Sequence, residues 1–171
     1  MKTKKVIVLP YDDQWKRDFE KIAAEIREVL CDTASSIEHV GSTSVEGLSA
    51  KPIIDIDVVI DSMDSFDETR SLLEKIGYCH EGNLGIEGRE AFKYEGKEHL
   101  RKHHLYVCPR DSEELKRHMV FRDYLRANRI AAEEYGRIKE MGAQIYPEDI
   151  DGYIRHKSAF IEEVYKKCGL R

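Results

Sequence analysis

Apolar residues along this chain fall into two rhythms. From Trp15 they recur at Phe19, Ile22, Ala23, Ile26, Val29 and Leu30. Steps of three and four put these positions on one face of a helix. Asp12 or Asp13 stands where an N-cap belongs, just after Pro10. Ahead of it Val6–Leu9 reads as a short strand, and Ile37–Val40 reads as another. Ile53–Ile60 is the strongest strand signal, rich in β-branched residues. Phe66 to Ile76 returns to helical spacing, with Gly77 as its stop. Glu81–Arg89 is glycine-rich and reads as a loop. Ala91–Tyr94 and His103–Cys108 are two further strands, with the polar Glu95–Lys102 as the hairpin connection between them.

After Pro109 the pattern becomes helical throughout. Asp111 or Ser112 caps a helix running to about Asn128. A second carries Ile130, Ala131, Glu134, Tyr135, Ile138, Met141, Gly142 and Ile145, and Pro147 ends it. A third carries Ile154, Ser158, Ile161, Val164, Tyr165 and Cys168. This order predicts an α+β fold: a small mixed sheet with flanking helices and a C-terminal helical layer. Residues 1–110 would form the core and 111–171 an annex packed on it, in one compact domain of 171 residues.

Charge and cysteine usage narrow the function classes. A net charge of −5 gives no overall field for nucleic acid or an anionic membrane. Cys31, Cys79, Cys108 and Cys168 are scattered with no C-x-x-C pair, which argues against a structural zinc site and a disulfide framework. The apolar part of MKTKKVIVLP is too short for a signal peptide, and no later run approaches membrane-spanning length. A cytoplasmic protein with reduced thiols is the expectation. The oligomeric state is not legible.

Within Ile53–Ile60 the alternation carries an oddity. Residues two apart on a strand share a face, so Asp55 and Asp57 are neighbours while Ile54, Ile56 and Val58 point the other way. Two adjacent carboxylates repel unless one is protonated or a cation lies between them. Magnesium suits such a pair, because it takes one or two carboxylates and completes its shell with water and phosphate oxygens. A solvated edge strand is the plainer alternative, which the apolar flanks weaken. Upstream, Gly41-Ser42-Thr43-Ser44 follows a strand directly. Gly41 permits close backbone approach, and a short helix starting at Ser44 would offer free N–H groups and the Ser42 and Ser44 hydroxyls to an anion. A phosphate site facing a metal site is what in-line attack on a nucleoside triphosphate requires.

These residues also carry a resemblance. Gly41-Ser42 followed by Asp55-Ile56-Asp57 resembles the signature of polymerase-β-type nucleotidyltransferases. A longer match is to the GrpB family of predicted nucleotidyltransferases: His39-Val40-Gly41-Ser42-Thr43-Ser44-Val45, Gly47-Leu48, Ala50-Lys51-Pro52-Ile53-Ile54-Asp55, Gly85-Ile86, Gly88-Arg89, His103-His104-Leu105 and Phe121-Arg122-Asp123-Tyr124-Leu125. The resemblance implies a nucleotidyltransferase-like fold and a metal-dependent transfer of a nucleoside monophosphate from an NTP, with Mg2+ or Mn2+ as cofactor. With no nucleic-acid-binding motif, a small-molecule acceptor is expected.

Active members of that superfamily usually place a third carboxylate on a later strand. Here that strand is His103-His104-Leu105-Tyr106-Val107, so His104 is the replacement as ligand or base beside Asp55 and Asp57. Imidazole binds magnesium poorly and prefers manganese or zinc. A changed metal, or a site that binds nucleotide without transferring it, follows; a polar strand-end residue is the plainer reading of His104. Lys51 and Arg89 are expected phosphate contacts, as a point charge and a planar fork, and Lys93 extends the same patch. Arg122, Arg126 and Arg129 share a helix face. That face reads either as a solvated one paired to Asp123, Glu133 and Glu134 or as a basic wall toward the ligand. Tyr153 and Lys157 lie four apart on the last helix, where packing and pocket closure are both open.

Overall fold

The computed structural model describes residues 5–170. Helix α1 (Gln14–Leu30) buries the stripe from Trp15 to Leu30. Asp12 caps it, its Oδ1 accepting from the Gln14 N–H at 2.9 Å. Strand β1 (Ser36–Val40) and a one-turn 3-10 helix (Ser42–Ser44) precede the long β2 (Ile54–Ile60). Then come α2 (Phe66–Lys75), β3 (Tyr78–Gly82), β4 (Glu90–Tyr94) and β5 (His103–Pro109). Helices α3 (Glu113–Ala127), α4 (Arg129–Ile145) and α5 (Ile150–Lys167) follow. Ser112 Oγ accepts from the Leu115 N–H to start α3, and Asp149 Oδ1 accepts from the Gly152 N–H to start α5.

The five strands lie in the order β1-β2-β5-β4-β3. β2 and β5 run parallel at the centre, and the other pairings are antiparallel. On one face Ile54, Ile56, Val58, Ile60, Leu105 and Val107 join Ile22, Ile26 and Leu73 of α1 and α2 in the main core. The other face is covered in part by α3, through Leu115 on Val59 and Cys108. A further apolar cluster, with Leu48, Leu125, Tyr135 and Phe160, ties α3, α4 and α5 to the segment after the 3-10 turn. The α+β expectation of a mixed sheet with a C-terminal helical layer is what the chain adopts.

Two local expectations need correction. Val6–Leu9 adds no strand to the sheet: Leu9 makes one isolated antiparallel bridge to Ala50. Pro10 has no N–H to extend the pairing, and Ile7 and Leu9 remain exposed. The segment from Glu81 is not all loop, because β3 (Tyr78–Gly82) pairs with β4. Tyr78 anchors it, fully buried, with its hydroxyl 2.7 Å from His103 Nε2.

Candidate functional site

The alternation on β2 holds in three dimensions. Its even-numbered residues enter the main core, and Asp55 and Asp57 project from the opposite face. Directly opposed residues share a face. The register therefore lines up Glu38, Asp57, Tyr106 and Ala91 in one row, and Val40, Asp55 and His104 in the next.

Each carboxylate in these rows has its own cation or imidazole. Glu38 Oε2 accepts from Arg122 Nη1 at 2.9 Å. Asp55 Oδ1 lies 2.9 Å from His104 Nδ1. Asp57 is completely buried, and its Oδ2 lies 2.7 Å from His118 Nδ1. The far nitrogen of that ring, Nε2, is 3.2 Å from Glu114 Oε1. Burial pushes the Asp57 carboxyl up, and the hydrogen bond from His118 pulls it part of the way back. Burial also opposes charge on His118, but its bonds to Asp57 and Glu114 outweigh that and hold its pKa at about 10. With two carboxylates on one ring, the ring is an imidazolium. Glu114 is lowered by its bond from His118.

Glu114, His118, Arg122 and Arg126 stand at intervals of four on α3, so one stripe of this helix meets the sheet and the turn. Arg122 also donates to the His39 carbonyl at 3.1 Å and to Asp123 at 2.9 Å. Arg126 donates from Nε and Nη2 to the Ser44 carbonyl, at 3.0 and 2.8 Å. Arg129 does not share that face, because α3 ends at Ala127 and Arg129 opens α4, where it is exposed and bonds Glu133. Arg122 and Arg126 are braces for the turn.

The turn is built for close approach. Gly41 has φ +74° and ψ −177°, a backbone region essentially reserved for glycine. A Cβ there would collide with Asp55 Oδ2. Glycine thus lets the turn rest against the carboxylate. Ser44 contributes its hydroxyl to the Gly41 carbonyl at 2.5 Å. His39 Nε2 bonds Thr43 Oγ1 at 2.9 Å, and its ring stacks on Phe19. The regular turn is a 3-10 helix over Ser42–Ser44, in place of a helix beginning at Ser44. Ser42 faces the hydroxyl of the buried Tyr135.

The other expected contacts gather nearby. Arg89 stacks over the Tyr106 ring at 4.2 Å, beside the Asp57 row, and its buried Nε has no hydrogen-bond partner among the described residues. Gly88 is held by Ser112 Oγ, which donates to its carbonyl at 2.7 Å. Lys51 sits 5.0 Å from the Tyr153 ring centroid, in the field of Asp55. A groove of about 770 Å³ opens beside this edge, with Lys51, Lys93, His104 and Ile150 in its walls. The structure thus brings Gly41, Ser42, Lys51, Arg89, Asp55, Asp57 and His104 to one side of the sheet. It joins His104 to Asp55 and gives Asp57 a different imidazole, His118, which no sequence motif pointed to.

Among the described residues no set of three His, Cys, Asp or Glu side chains is arranged to hold a metal ion. The donor chemistry nevertheless fits magnesium. Asp57 Oδ1 is buried without a partner among the described residues, Asp55 projects from the same face, and such an ion asks for only one or two carboxylates beside water and phosphate oxygens.

A mixed sheet with the Asp-x-Asp strand at its centre, and a Gly-Ser turn against it, defines the polymerase-β-like nucleotidyltransferase fold. Cid1 in complex with its short product ApU superposes with a TM-score of 0.54 at 10% identity, over 77% of this chain and 42% of that one. The chain belongs to the GrpB family, which it matches over residues 5–167. The crystal structure of the conserved protein GrpB from Enterococcus faecalis aligns with a TM-score of 0.82 at 38% identity, covering 94% of this chain and 96% of that one. The glutamate-rich protein GrpB of Alkalihalophilus pseudofirmus is 34% identical over 162 residues, 93% of each chain. No described helix is long and apolar enough to cross a membrane.

Proposed function

We propose that this chain binds a nucleoside triphosphate against the Gly41-Ser42 turn and transfers its nucleoside monophosphate to a small-molecule acceptor. The observation carrying this reading is the contact of the Gly41 turn with Asp55, on the strand that also carries Asp57. The turn would cradle phosphate through its backbone and the Ser42 hydroxyl, with Lys51 and Arg89 as flanking cations. A divalent cation such as Mg2+ or Mn2+, held by Asp55 and Asp57, would neutralise charge at the phosphates when bound.

The acceptor hydroxyl attacks the α-phosphorus. The bond from α-phosphorus to its bridging oxygen breaks, and pyrophosphate leaves. The proton of that hydroxyl needs a base, and His104 supplies one. With Nδ1–H donating to Asp55, Nε2 keeps its lone pair free to accept. This gives His104 the task the superfamily's third acid performs, through an imidazole oriented by a carboxylate.

A second reading is a nucleotide-binding module without turnover. It is favoured by β5, which offers His104 and Tyr106 toward the pair and no carboxylate. One experiment separates the two readings: nucleotide binding and pyrophosphate release are measured with magnesium and manganese for the wild type, Asp55→Asn and His104→Ala. Release that falls at least a hundredfold in both variants supports transfer. Saturable binding with no release across an acceptor panel supports the binding module. Absence of nucleotide binding with either metal rejects both.

A further inference from the structure

Three lysines gather behind the Ser42 turn, with Asp55 as their shared counter-charge and Glu140 acting on Lys139 besides. Lys139 of α4 is 2% exposed. Its Nζ sits 4.8 Å from the Tyr135 ring centroid and has no hydrogen-bond partner among the described residues. Lys157 of α5 and Lys51 each place Nζ 5.0 Å from the centroid of the Tyr153 ring. Lys139 and Lys157 feel each other's charge, as do Lys157 and Lys51. Among the described residues Asp55 is the one carboxylate whose field reaches all three, and it is already engaged by His104. The hydroxyl of Tyr135 connects the cluster to Ser42.

A buried amine without a partner is costly to charge, and a fold that gathers three lysines around one shared carboxylate is arranged for an anion. The tyrosine faces attract the cations without neutralising them. The three amines are spread over two tyrosine rings, so they present separate donors rather than one point of charge. A polyphosphate, with several oxyanions in a row, fits the separate donors and the position beside the turn.

We propose that Lys51, Lys139 and Lys157 form an oxyanion site that binds the polyphosphate tail of the ligand directly, so that the tail binds without a divalent cation. This deepens the nucleotidyl-transfer reading, because the site is the same one. It differs in where the phosphate charge is neutralised: on lysine amines that are charged once the tail is bound, with the metal left to the chemical step.

A consequence concerns protons. Burial holds the Lys139 amine well below its usual range, with Lys157 opposing charge and Asp55 and Glu140 favouring it. Burial also lowers Lys51 and Lys157. An arriving oxyanion reverses the balance for Lys139, so binding takes up a proton.

The test is calorimetric titration of inorganic tripolyphosphate into the whole chain in EDTA, repeated in buffers of different ionisation enthalpy. The wild type should bind saturably, more tightly than orthophosphate, with proton uptake. Lys139→Met and Lys157→Met should each weaken binding at least tenfold, and Lys139→Met should abolish the uptake. Thermal melts establish that each variant is folded; if Lys139→Met is not, the half-buried Lys157 carries the same comparison. Binding that appears only when magnesium is restored overturns the proposal, as does unchanged affinity in a folded lysine variant. Pyrophosphate release from an NTP with lysine-independent tripolyphosphate binding would sink this proposal alone. Lysine-dependent tripolyphosphate binding in a chain that binds no nucleotide would sink nucleotidyl transfer and leave the site standing.

Discussion

His118→Ala is the sharpest perturbation of the site's architecture. Asp57 is completely buried, its Oδ2 has one partner, His118, and its Oδ1 has none. Removing the imidazole strands a carboxylate in the protein interior, a change that costs about 3–5 kcal/mol. Proton linkage gives the same order: a rise from 6.5 to about 10 for His118 corresponds to about 5 kcal/mol at most, at 1.36 kcal/mol per pKa unit. For a chain of this length the melting temperature should drop by about 6–20 °C. Because the folded-state pKa is raised, the stabilisation is complete below 6.5 and is lost as pH climbs through about 10. The gap between wild type and His118→Ala in urea unfolding should therefore be widest near pH 6 and shrink toward pH 10. His118→Gln, which keeps a donor but no charge, should fall between them. A loss under about 1 kcal/mol, or a gap that does not change over this pH range, would refute the imidazolium–carboxylate assignment.

Two further predictions concern the turn. Gly41→Ala forces a side chain into a glycine-only backbone region and against Asp55 Oδ2, so it should lose more than the roughly 1–3 kcal/mol of backbone strain alone. Gly169→Ala, where φ is also positive but nothing stands near the added carbon, should lose less; equal losses by chemical denaturation would show that the Asp55 contact is not tight. His39 is buried neutral with its pKa lowered by burial to about 4. The wild type should lose about 3 kcal/mol as pH falls from 6.5 through 4, and a His39→Gln variant that keeps the same acid slope would remove His39 as its cause.

How much of this was legible in the sequence depends on whether the signal is local. The Asp-x-Asp alternation survives folding because period two is imposed by the strand itself, and the apolar flanks correctly placed β2 inside the sheet, between β1 and β5. The Gly-Ser turn was legible for a similar reason, since a glycine after a strand marks a special backbone. His118 and Lys139 were not legible. Both sit on helices whose hydrophobic spacing gives no reason to single out a polar residue, and the carboxylate that gives His118 its role, Asp57, lies 61 positions away in the chain. Arg122 and Arg126 could be placed on one face, but a helix face packed on a polar sheet surface has the same sequence pattern as a solvated one. β3 was hidden by Gly82 and by the charged residues beside it, and Tyr78 secures it through a contact with His103 that only the fold creates.

The in-register parallel pairing of β2 with β5 also has a kinetic meaning. Asp55 meets His104 across 49 positions of sequence, Asp57 meets His118 across 61, and Glu38 meets Arg122 across 84. Contacts of such separation close large loops, whose entropy must be overcome before the contact stabilises anything. Local helices can form in any order, but the carboxylate rows receive their cations only after β5 has docked beside β2 and α3 has come down over them. Refolding followed by a helix signal should therefore run ahead of refolding followed at the site, and the last thing this chain acquires on its way to the native state is its charge pattern.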